Sequence, residues 1–131
     1  MYYVASCLNQ RVGTRFVHIQ VKTFVPGRRT CSVGPKAERT FGDNFFWVLG
    51  GIPEPGSARP FEYYIIPDKV MAENVTQAQQ QWLATVGAKG QARNDTSVPT
   101  VHLPPFRSLN GWDISDFRDR WELIETKLSA S

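Results

Sequence analysis

Hydrophobic and polar residues alternate most clearly over residues 15–24. The β-branched residues on every second position are Val17, Ile19 and Val21. This period of two separates the opposite faces of a β-strand, and β-branched side chains favour the buried face. We therefore predict a strand with this row in the core. Its other face carries three polar side chains at steps of roughly 7 Å: His18, Gln20 and Lys22.

Two apolar runs, over residues 45–49 and 61–66, are typical of buried strands. Proline and glycine punctuate the stretch between them, so we predict that segments 45–51 and 61–66 form a hairpin. Residues 26–43 are rich in glycine, proline and basic residues, which predicts a loop with at most one short helical turn. A short edge strand is predicted over residues 101–103, because two prolines follow it at once.

Three segments are predicted to be helical. Over residues 68–86, apolar residues recur at intervals of four and three, which is the spacing of one helix face. The last helix carries the apolar stripe Ile114, Phe117, Trp121, Ile124 and Leu128. Asp113 or Ser115 is expected to cap it. Residues 2–10 are predicted as a short helix, and residues 87–99 lack hydrophobic spacing and are predicted to be a mobile loop.

These elements indicate one α/β domain over residues 1–131, with a mixed sheet of three to four strands flanked by helices. The longest apolar run spans only residues 45–49, which is too short to cross a membrane. The first residues contain no apolar block of signal-peptide length, so we expect a cytoplasmic protein. The two cysteines, Cys7 and Cys31, are too few for a zinc site, and structural roles are expected for both.

Positive charge is concentrated in the first half of the chain. Residues 1–59 hold eight Lys or Arg against three Asp or Glu, whereas residues 60–131 hold seven against nine. A basic half attracts polyanions, although loops of this composition are also commonly just solvated. The residues that we predict to contact nucleic-acid phosphates lie in the two predicted loops: Arg28, Arg29, Lys36, Arg39, Lys89 and Arg93.

The Gln20-x-Lys22 pair on a central strand resembles the motif of the PD-(D/E)XK nuclease superfamily, which includes restriction endonucleases. In that superfamily a Glu or Gln, any residue and a Lys stand on one strand. The resemblance implies that Gln20 helps to hold Mg²⁺. It also implies that Lys22 orients or activates the attacking water and offsets phosphate charge.

The order of the later segments resembles one group within this superfamily. Its members continue with an aromatic strand, a strand ending in Ile-Pro or Val-Pro, a helix closing on Trp, a basic glycine-containing loop and an aromatic last helix. The corresponding segments here are residues 44–49, 63–67, 81–83, 87–90 and 117–124. The resemblance implies a trimmed restriction endonuclease-like fold and a DNA-cutting ancestry.

The chain departs from this pattern at the first metal ligand. Family members place an Asp on a strand before the Gln-x-Lys strand, whereas here no Asp or Glu precedes Glu38. Glu38, Asp43 or an acid from a second subunit is expected to substitute if the protein binds Mg²⁺ and is catalytically active. The Asp-bearing strand is predicted to be missing, and because an uncovered sheet edge seeks a partner, we predict a homo-oligomer, most simply a dimer.

For the histidines and tryptophans, a structural role is weighed against a functional one. His18 shares the face of Gln20 and Lys22 and is either a base or a packing residue, and His102 lies near prolines with no evident partner. Trp47, Trp82 and Trp121 lie on predicted core stripes, whereas Trp112 is expected to be exposed. Two functions stay open: a Mg²⁺-dependent nuclease, and a non-catalytic module that binds nucleic acid or another protein.

Overall fold

A four-stranded mixed sheet forms the centre of the molecule. The computed structural model describes residues 2–9, 13–85 and 98–129. In the sheet, β1 (Tyr2–Asn9) pairs antiparallel with β2 (Gly13–Phe24), and β2 pairs parallel with β4 (Phe45–Gly51). Strand β5 (Glu62–Pro67) pairs antiparallel with β4, so the order is β1-β2-β4-β5. The predicted α/β class, mixed sheet and hairpin are confirmed.

The prediction of a helix over residues 2–10 is wrong, because this segment is strand β1. It pairs with β2 along its whole length, from Tyr2 opposite Gln20 to Asn9 opposite Gly13. Aromatic and β-branched residues favour strands, and pairing with a neighbouring strand decides such short ambiguous segments. The strand that was predicted to be missing beside β2 is therefore present. The dimer stays a prediction, but an open edge at β2 no longer supports it.

The two faces of the sheet carry separate hydrophobic cores, as the alternation along the strands requires. Helix α1 (Asp68–Ala84) packs on one face, where Met71 and Val75 join the side chains of Trp47 and Leu49. Helix α2 (Glu122–Ser129) packs on the other face through Ile124, against Val17, Phe46, Val48 and Ile65. No helix in the described ranges is long and apolar enough to cross a bilayer.

A small two-stranded sheet covers part of the α1 face. Strand β3 (Thr30–Ser32) pairs antiparallel with β6 (Thr100–His102), and a 3-10 helix follows β3 over Pro35–Glu38. The short strand predicted over residues 101–103 is confirmed with slightly shifted bounds. Strand β3 lies within a predicted loop, and its partner stands about seventy positions away along the chain. No local pattern therefore revealed it.

The prediction of one continuous last helix is also wrong. A 3-10 helix covers Ile114–Phe117, and α2 begins only at Glu122. Between them the chain runs along the edge of β5, where Arg118 forms a β-bridge with Tyr64. The backbone N–H of Asp119 donates to the Tyr63 carbonyl oxygen at 2.9 Å.

The tryptophans follow the prediction only in part. Trp47 is fully buried, as expected of a central strand. Trp121 is 39% exposed and contacts the ring of Tyr63. Trp112 packs against the α1-side core, so the expectation that it is exposed is wrong.

Candidate functional site

Strand β2 presents the predicted polar row from the interior of the sheet. His18, Gln20 and Lys22 share the face covered by α1, at steps of roughly 7 Å along the strand. Because β2 and β4 run parallel, each member of the row has a partner residue in register on β4. The register pairs are His18 with Phe45, Gln20 with Trp47, and Lys22 with Leu49.

Gln20 and Lys22 line one pocket of about 280 Å³. Its sheet side is completed by Trp47, and its opposite wall is the segment that leads from β3 into the first 3-10 helix. The residues of that wall are Val33, Gly34, Pro35 and Lys36. The pocket thus brings together the two residues of the motif with a third residue, Lys36, that the sequence assigned to a separate loop.

Two buried polar atoms of the pocket residues lack hydrogen-bond partners. They are the side-chain oxygen Oε1 of Gln20 and the indole Nε1 of Trp47. Gln20 is 4% exposed and Trp47 is fully buried. A buried polar atom without a partner costs on the order of 1–3 kcal/mol. The site therefore contains one unpaired acceptor and one unpaired donor on neighbouring strands, and both atoms are inaccessible to solvent.

The charged residues that line the pocket are both lysines, Lys22 and Lys36. Among the described residues, none that lines this pocket carries a carboxylate. The Lys36 ammonium also lies 5.8 Å from the centre of the Phe41 ring. The electrostatic character of the pocket therefore favours an anion.

The thiol beside Lys22 does not offset this charge. Burial raises the pKa of Cys31 to about 11, and the nearby Lys22 ammonium lowers it only in part. The thiol therefore stays protonated at neutral pH and directs weak hydrogen bonds to the Thr23 and Ser32 carbonyl oxygens. Cys31 is a structural residue, as its sequence context predicts.

The residues that line the pocket do not provide the ligands that Mg²⁺ requires. Mg²⁺ requires near-octahedral oxygen ligands, usually including carboxylates. Here Gln20 offers one neutral oxygen beside two ammonium groups, which repel a cation. Across the described part of the chain, no three His, Cys, Asp or Glu side chains are grouped as metal ligands would be.

The two carboxylates that were expected to substitute lie at other cavities. Glu38 lines a cavity with Arg39 and Gln79, on the α1 side of the 3-10 helix. Asp43 lines another with Asp68 and Lys69, at the start of α1. Neither is among the residues that line the Gln20 and Lys22 pocket.

The two histidines are not brought together. His18 is exposed at the end of the polar row, and its ring stacks on Phe45 with centroids 6.4 Å apart. His102 lies on β6 and lines a different cavity, which includes Trp82. Burial, and then the charge of Arg29, lowers the pKa of His102, so its imidazole is neutral at neutral pH.

The predicted phosphate-binding residues are distributed over several places. Lys36 lies in the pocket, and Arg39 stands at the neighbouring cavity. Arg28 and Arg29 follow the turn after β2, where the Arg29 guanidinium lies 4.4 Å from the centre of the Phe106 ring. Lys89 and Arg93 fall outside the described residues.

Trp47 and the wall over residues 33–35 are the parts of the site that the sequence did not indicate. Trp47 carries the signal of a core residue, and it is one. Its place opposite Gln20 follows only from the parallel register of β2 and β4. Comparison of the chain with protein-family models, curated proteins and solved structures gives no match.

Proposed function

We propose that this protein is a non-catalytic nucleic-acid-binding module that holds a backbone phosphate in the pocket of Lys22 and Lys36. The observation that carries the proposal is the composition of that pocket, which combines two ammonium groups with no carboxylate among its described lining residues. Phosphate contacts by lysine supply most of the affinity in sequence-independent binding.

The lysine side chains, rather than the backbone of the pocket wall, would carry the charge interaction. The N–H groups of Val33 and Gly34 already donate to the Pro99 carbonyl oxygen, at 3.1 and 3.3 Å. Pro35 has no backbone N–H. The wall therefore offers no cluster of free N–H groups for an anion, and binding should respond directly to the loss of either lysine.

Exposed basic residues near the pocket-forming segment extend this charge over the surface. Arg28 and Arg29 precede β3, and Arg39 follows the first 3-10 helix. Each is exposed, which suits long-range attraction of a polyanion, and the Arg29 guanidinium also packs over the Phe106 ring. These residues are expected to add salt-dependent affinity without defining a position on the nucleic acid.

A Mg²⁺-dependent nuclease is the second candidate, because the Gln-x-Lys pair lies on an interior strand of a mixed sheet with helices on both faces. That placement supports the resemblance to PD-(D/E)XK nucleases. The donor set argues against activity, since Gln20 offers one neutral oxygen beside two ammonium groups. We therefore propose that the protein is a non-catalytic relative of that fold.

Fluorescence anisotropy with a short labelled single-stranded oligonucleotide tests the binding. We expect Lys22→Ala and Lys36→Ala each to weaken binding about tenfold, as the loss of a charge-assisted hydrogen bond requires. Each should also reduce the slope of log affinity against log salt by about 0.7. Lys69→Ala, an exposed lysine at another cavity, is the matched control. Binding that is unchanged in both pocket variants would overturn the proposal.

A cleavage assay separates the two candidates. Wild-type protein is incubated with plasmid DNA and with RNA, in Mg²⁺ and in Mn²⁺, beside Lys22→Ala. We expect no cleavage above the level of the variant. Cleavage by the wild type that Lys22→Ala abolishes would establish the nuclease and refute the non-catalytic module.

A further inference from the structure

We infer that the protein prefers single-stranded nucleic acid, because an exposed ring beside the lysine pocket, that of Phe41, offers a surface on which an unpaired base stacks. This inference rests on the proposed function, since it specifies which form of nucleic acid the pocket of Lys22 and Lys36 holds. The observation behind it is the position of Phe41, which is 44% exposed and lies next to the Lys36 ammonium group.

The Phe41 ring adjoins the pocket on the side of Lys36. The Lys36 ammonium lies 5.8 Å from the ring centre, near the outer limit of about 6 Å for a cation–π contact. Lys36 in turn lines the pocket together with Lys22. A phosphate bound by the lysines therefore lies within the length of one nucleotide of the ring, so its own base or the next one can meet Phe41.

Two contacts hold Phe41 in place. Its ring stacks against the buried ring of Phe45, with centroids 4.9 Å apart and planes inclined by 27°. Its backbone N–H donates to the carboxylate of Asp68, which is buried at the start of α1. A side chain that is already ordered loses little conformational freedom when a ligand stacks on it, so less of the interaction is offset by ordering.

His18 adds a second exposed ring to this surface. Its imidazole also stacks on Phe45, with centroids 6.4 Å apart and planes inclined by 7°. His18 stands on β2, on the strand face that carries Gln20 and Lys22. Two exposed rings thus lie near two lysines, and single-strand binding sites combine aromatic side chains with cationic groups in this way.

The face of a base is free to stack on a protein ring only outside a duplex. In a duplex each base is paired and stacked between its neighbours, whereas a single strand can turn its bases outward onto aromatic side chains. A duplex therefore meets the lysines through its phosphates but leaves Phe41 without a partner. Every base has such a face, so no preference for a particular sequence is expected.

Fluorescence anisotropy with probes of equal length tests the inference. The probes are a thymidine oligonucleotide, its duplex with the complementary strand, and a strand of abasic sites that keeps the phosphates and lacks every base. One stacked base predicts that the thymidine strand binds about tenfold more tightly than the abasic strand, and more tightly than the duplex. Poly-glutamate serves as a competitor, because an acidic polypeptide also offers negative charge to the lysines.

Phe41→Leu removes the ring and keeps an apolar side chain. It should weaken binding of the thymidine strand about tenfold, to the level of the abasic strand, and leave duplex binding unchanged. The slope of log affinity against log salt should stay the same, because no charge is lost, in contrast to Lys22→Ala and Lys36→Ala. Phe61→Leu, at an exposed ring beside Arg59 in another cavity, is the matched control and should bind like the wild type.

Phe41→Trp keeps an aromatic ring at the position and should bind the thymidine strand as tightly as the wild type. The fluorescence of the added indole should be quenched by the thymidine strand but not by the abasic strand, which a merely structural role of Phe41 would not produce. Circular dichroism establishes that each variant is folded. If Phe41→Leu does not fold, the abasic comparison and Phe41→Trp decide the question.

The outcomes separate this inference from the proposed function. Equal binding of the thymidine and abasic strands by the wild type, or single-strand binding that Phe41→Leu leaves unchanged, would overturn the inference and leave the phosphate-binding function standing. Equal losses of single-strand and duplex binding in Phe41→Leu would overturn it as well. Competition by poly-glutamate as strong as that of the thymidine strand, or absence of binding to every nucleic acid, would overturn both.

Discussion

Gln20 and Asp68 are buried polar side chains of the α1-side core, and they differ in how they are satisfied. Asp68 is the first residue of α1, and its Oδ2 accepts hydrogen bonds from the backbone N–H groups of Phe41 and Gly42. Oε1 of Gln20 accepts no hydrogen bond, and the second carboxylate oxygen of Asp68, Oδ1, has no partner either. Asp68 therefore has an identifiable structural role in holding the segment before β4, whereas the amide oxygen of Gln20 does not.

This difference predicts that Gln20 reduces stability. We expect Gln20→Met, which has a similar length and no unpaired oxygen, to raise the free energy of unfolding by about 1 kcal/mol. Urea denaturation monitored by tryptophan fluorescence measures it. Gln80→Met, at an exposed position of α1, is the control and should change the value by less than about 0.5 kcal/mol. A lower stability of Gln20→Met would indicate that the amide is a structural group after all.

The opposite result is predicted for Asp68. Asp68→Ala removes the acceptor of two backbone N–H groups, so we expect the free energy of unfolding to fall by about 2–3 kcal/mol. Glu73→Ala, on the exposed face of the same helix, should be nearly neutral. Equal effects of the two substitutions would contradict the structural role of Asp68.

At the residue scale, the sequence was sufficient to predict which side chains share a face of a strand, because that follows from the strand's period of two. The shared face of Gln20 and Lys22 follows from a period of two and nothing else. Trp47 and Lys36 join them through the parallel register of β4 and the return of the chain after β3, and neither relation has a local signal. Half of the chemistry of the pocket was therefore predictable.

At the scale of elements, the largest error concerns the last helix. The spacing of Ile114, Phe117 and Ile124 matches one helix face, which is why a continuous helix was predicted. In the structure Ile114 is buried in the α1-side core and Ile124 in the core on the opposite face. The spacing of hydrophobic residues indicates that they are buried, but it does not indicate which of the two cores they join. The chain must therefore leave the helical path between them.

The break is located at Asp119, whose φ of 54° lies in the left-handed region. This conformation costs a non-glycine residue roughly 1 kcal/mol of conformational free energy. Its side chain is exposed, so we expect Asp119→Gly to raise the free energy of unfolding by about 0.5 kcal/mol and Asp119→Val to lower it by about 1–2 kcal/mol. Parallel urea denaturation of the two variants measures both. Equal stability of the two would contradict the break as described.

Asp113 caps the 3-10 helix over Ile114–Phe117, and its contribution to the stability of the fold depends on pH. The backbone N–H of Ser115 donates to Asp113 at 2.9 Å, and this bond, followed by that from the Ser115 side chain, holds the pKa of Asp113 below its ordinary 3.8. A lowered pKa in the folded state stabilises the fold above the ordinary value, and the stabilisation is lost as pH falls through the lower folded value.

We therefore expect Asp113→Ala to cost about 1 kcal/mol at neutral pH, as the loss of a helix cap does. The difference from the wild type should shrink as pH falls below 3.8, because the carboxyl of the unfolded wild type and then that of the folded protein becomes protonated. Asp116→Ala, an exposed residue of the same 3-10 helix, controls for charge. A difference that stays constant with pH would contradict the capping role.

At the scale of the whole molecule, the four-stranded sheet contains one strand, β1, that the sequence did not predict. The α/β class, the mixed sheet and the central place of the Gln-x-Lys strand were predictable, because each follows from strong local patterns. The strand β1 was not, since short segments without clear periodicity are decided by their partners. Its presence beside β2 removes the argument that an open edge drives dimerisation, and sedimentation equilibrium is the direct test of the dimer that remains predicted.

The charge distribution along the sequence and the composition of the pocket both favour an anion as the ligand. The basic half of the sequence contributes both lysines of the pocket and the exposed arginines that flank β3 and the first 3-10 helix. We propose that this surface attracts a polyanion and that the pocket gives it one defined point of attachment.

Heteronuclear NMR of the indole N–H groups tests the central claim most directly, because the pocket contains one of the four tryptophans of the chain. The resonance of Trp47 is assigned by its disappearance in Trp47→Phe, and single-stranded RNA is then titrated into the wild type and into Lys22→Ala. We predict that the Trp47 signal shifts in the wild type and that Lys22→Ala needs about tenfold more RNA to reach the same shift. Shifts confined to the other indoles, with Trp47 unmoved by an oligonucleotide that binds, would contradict the assignment of this pocket.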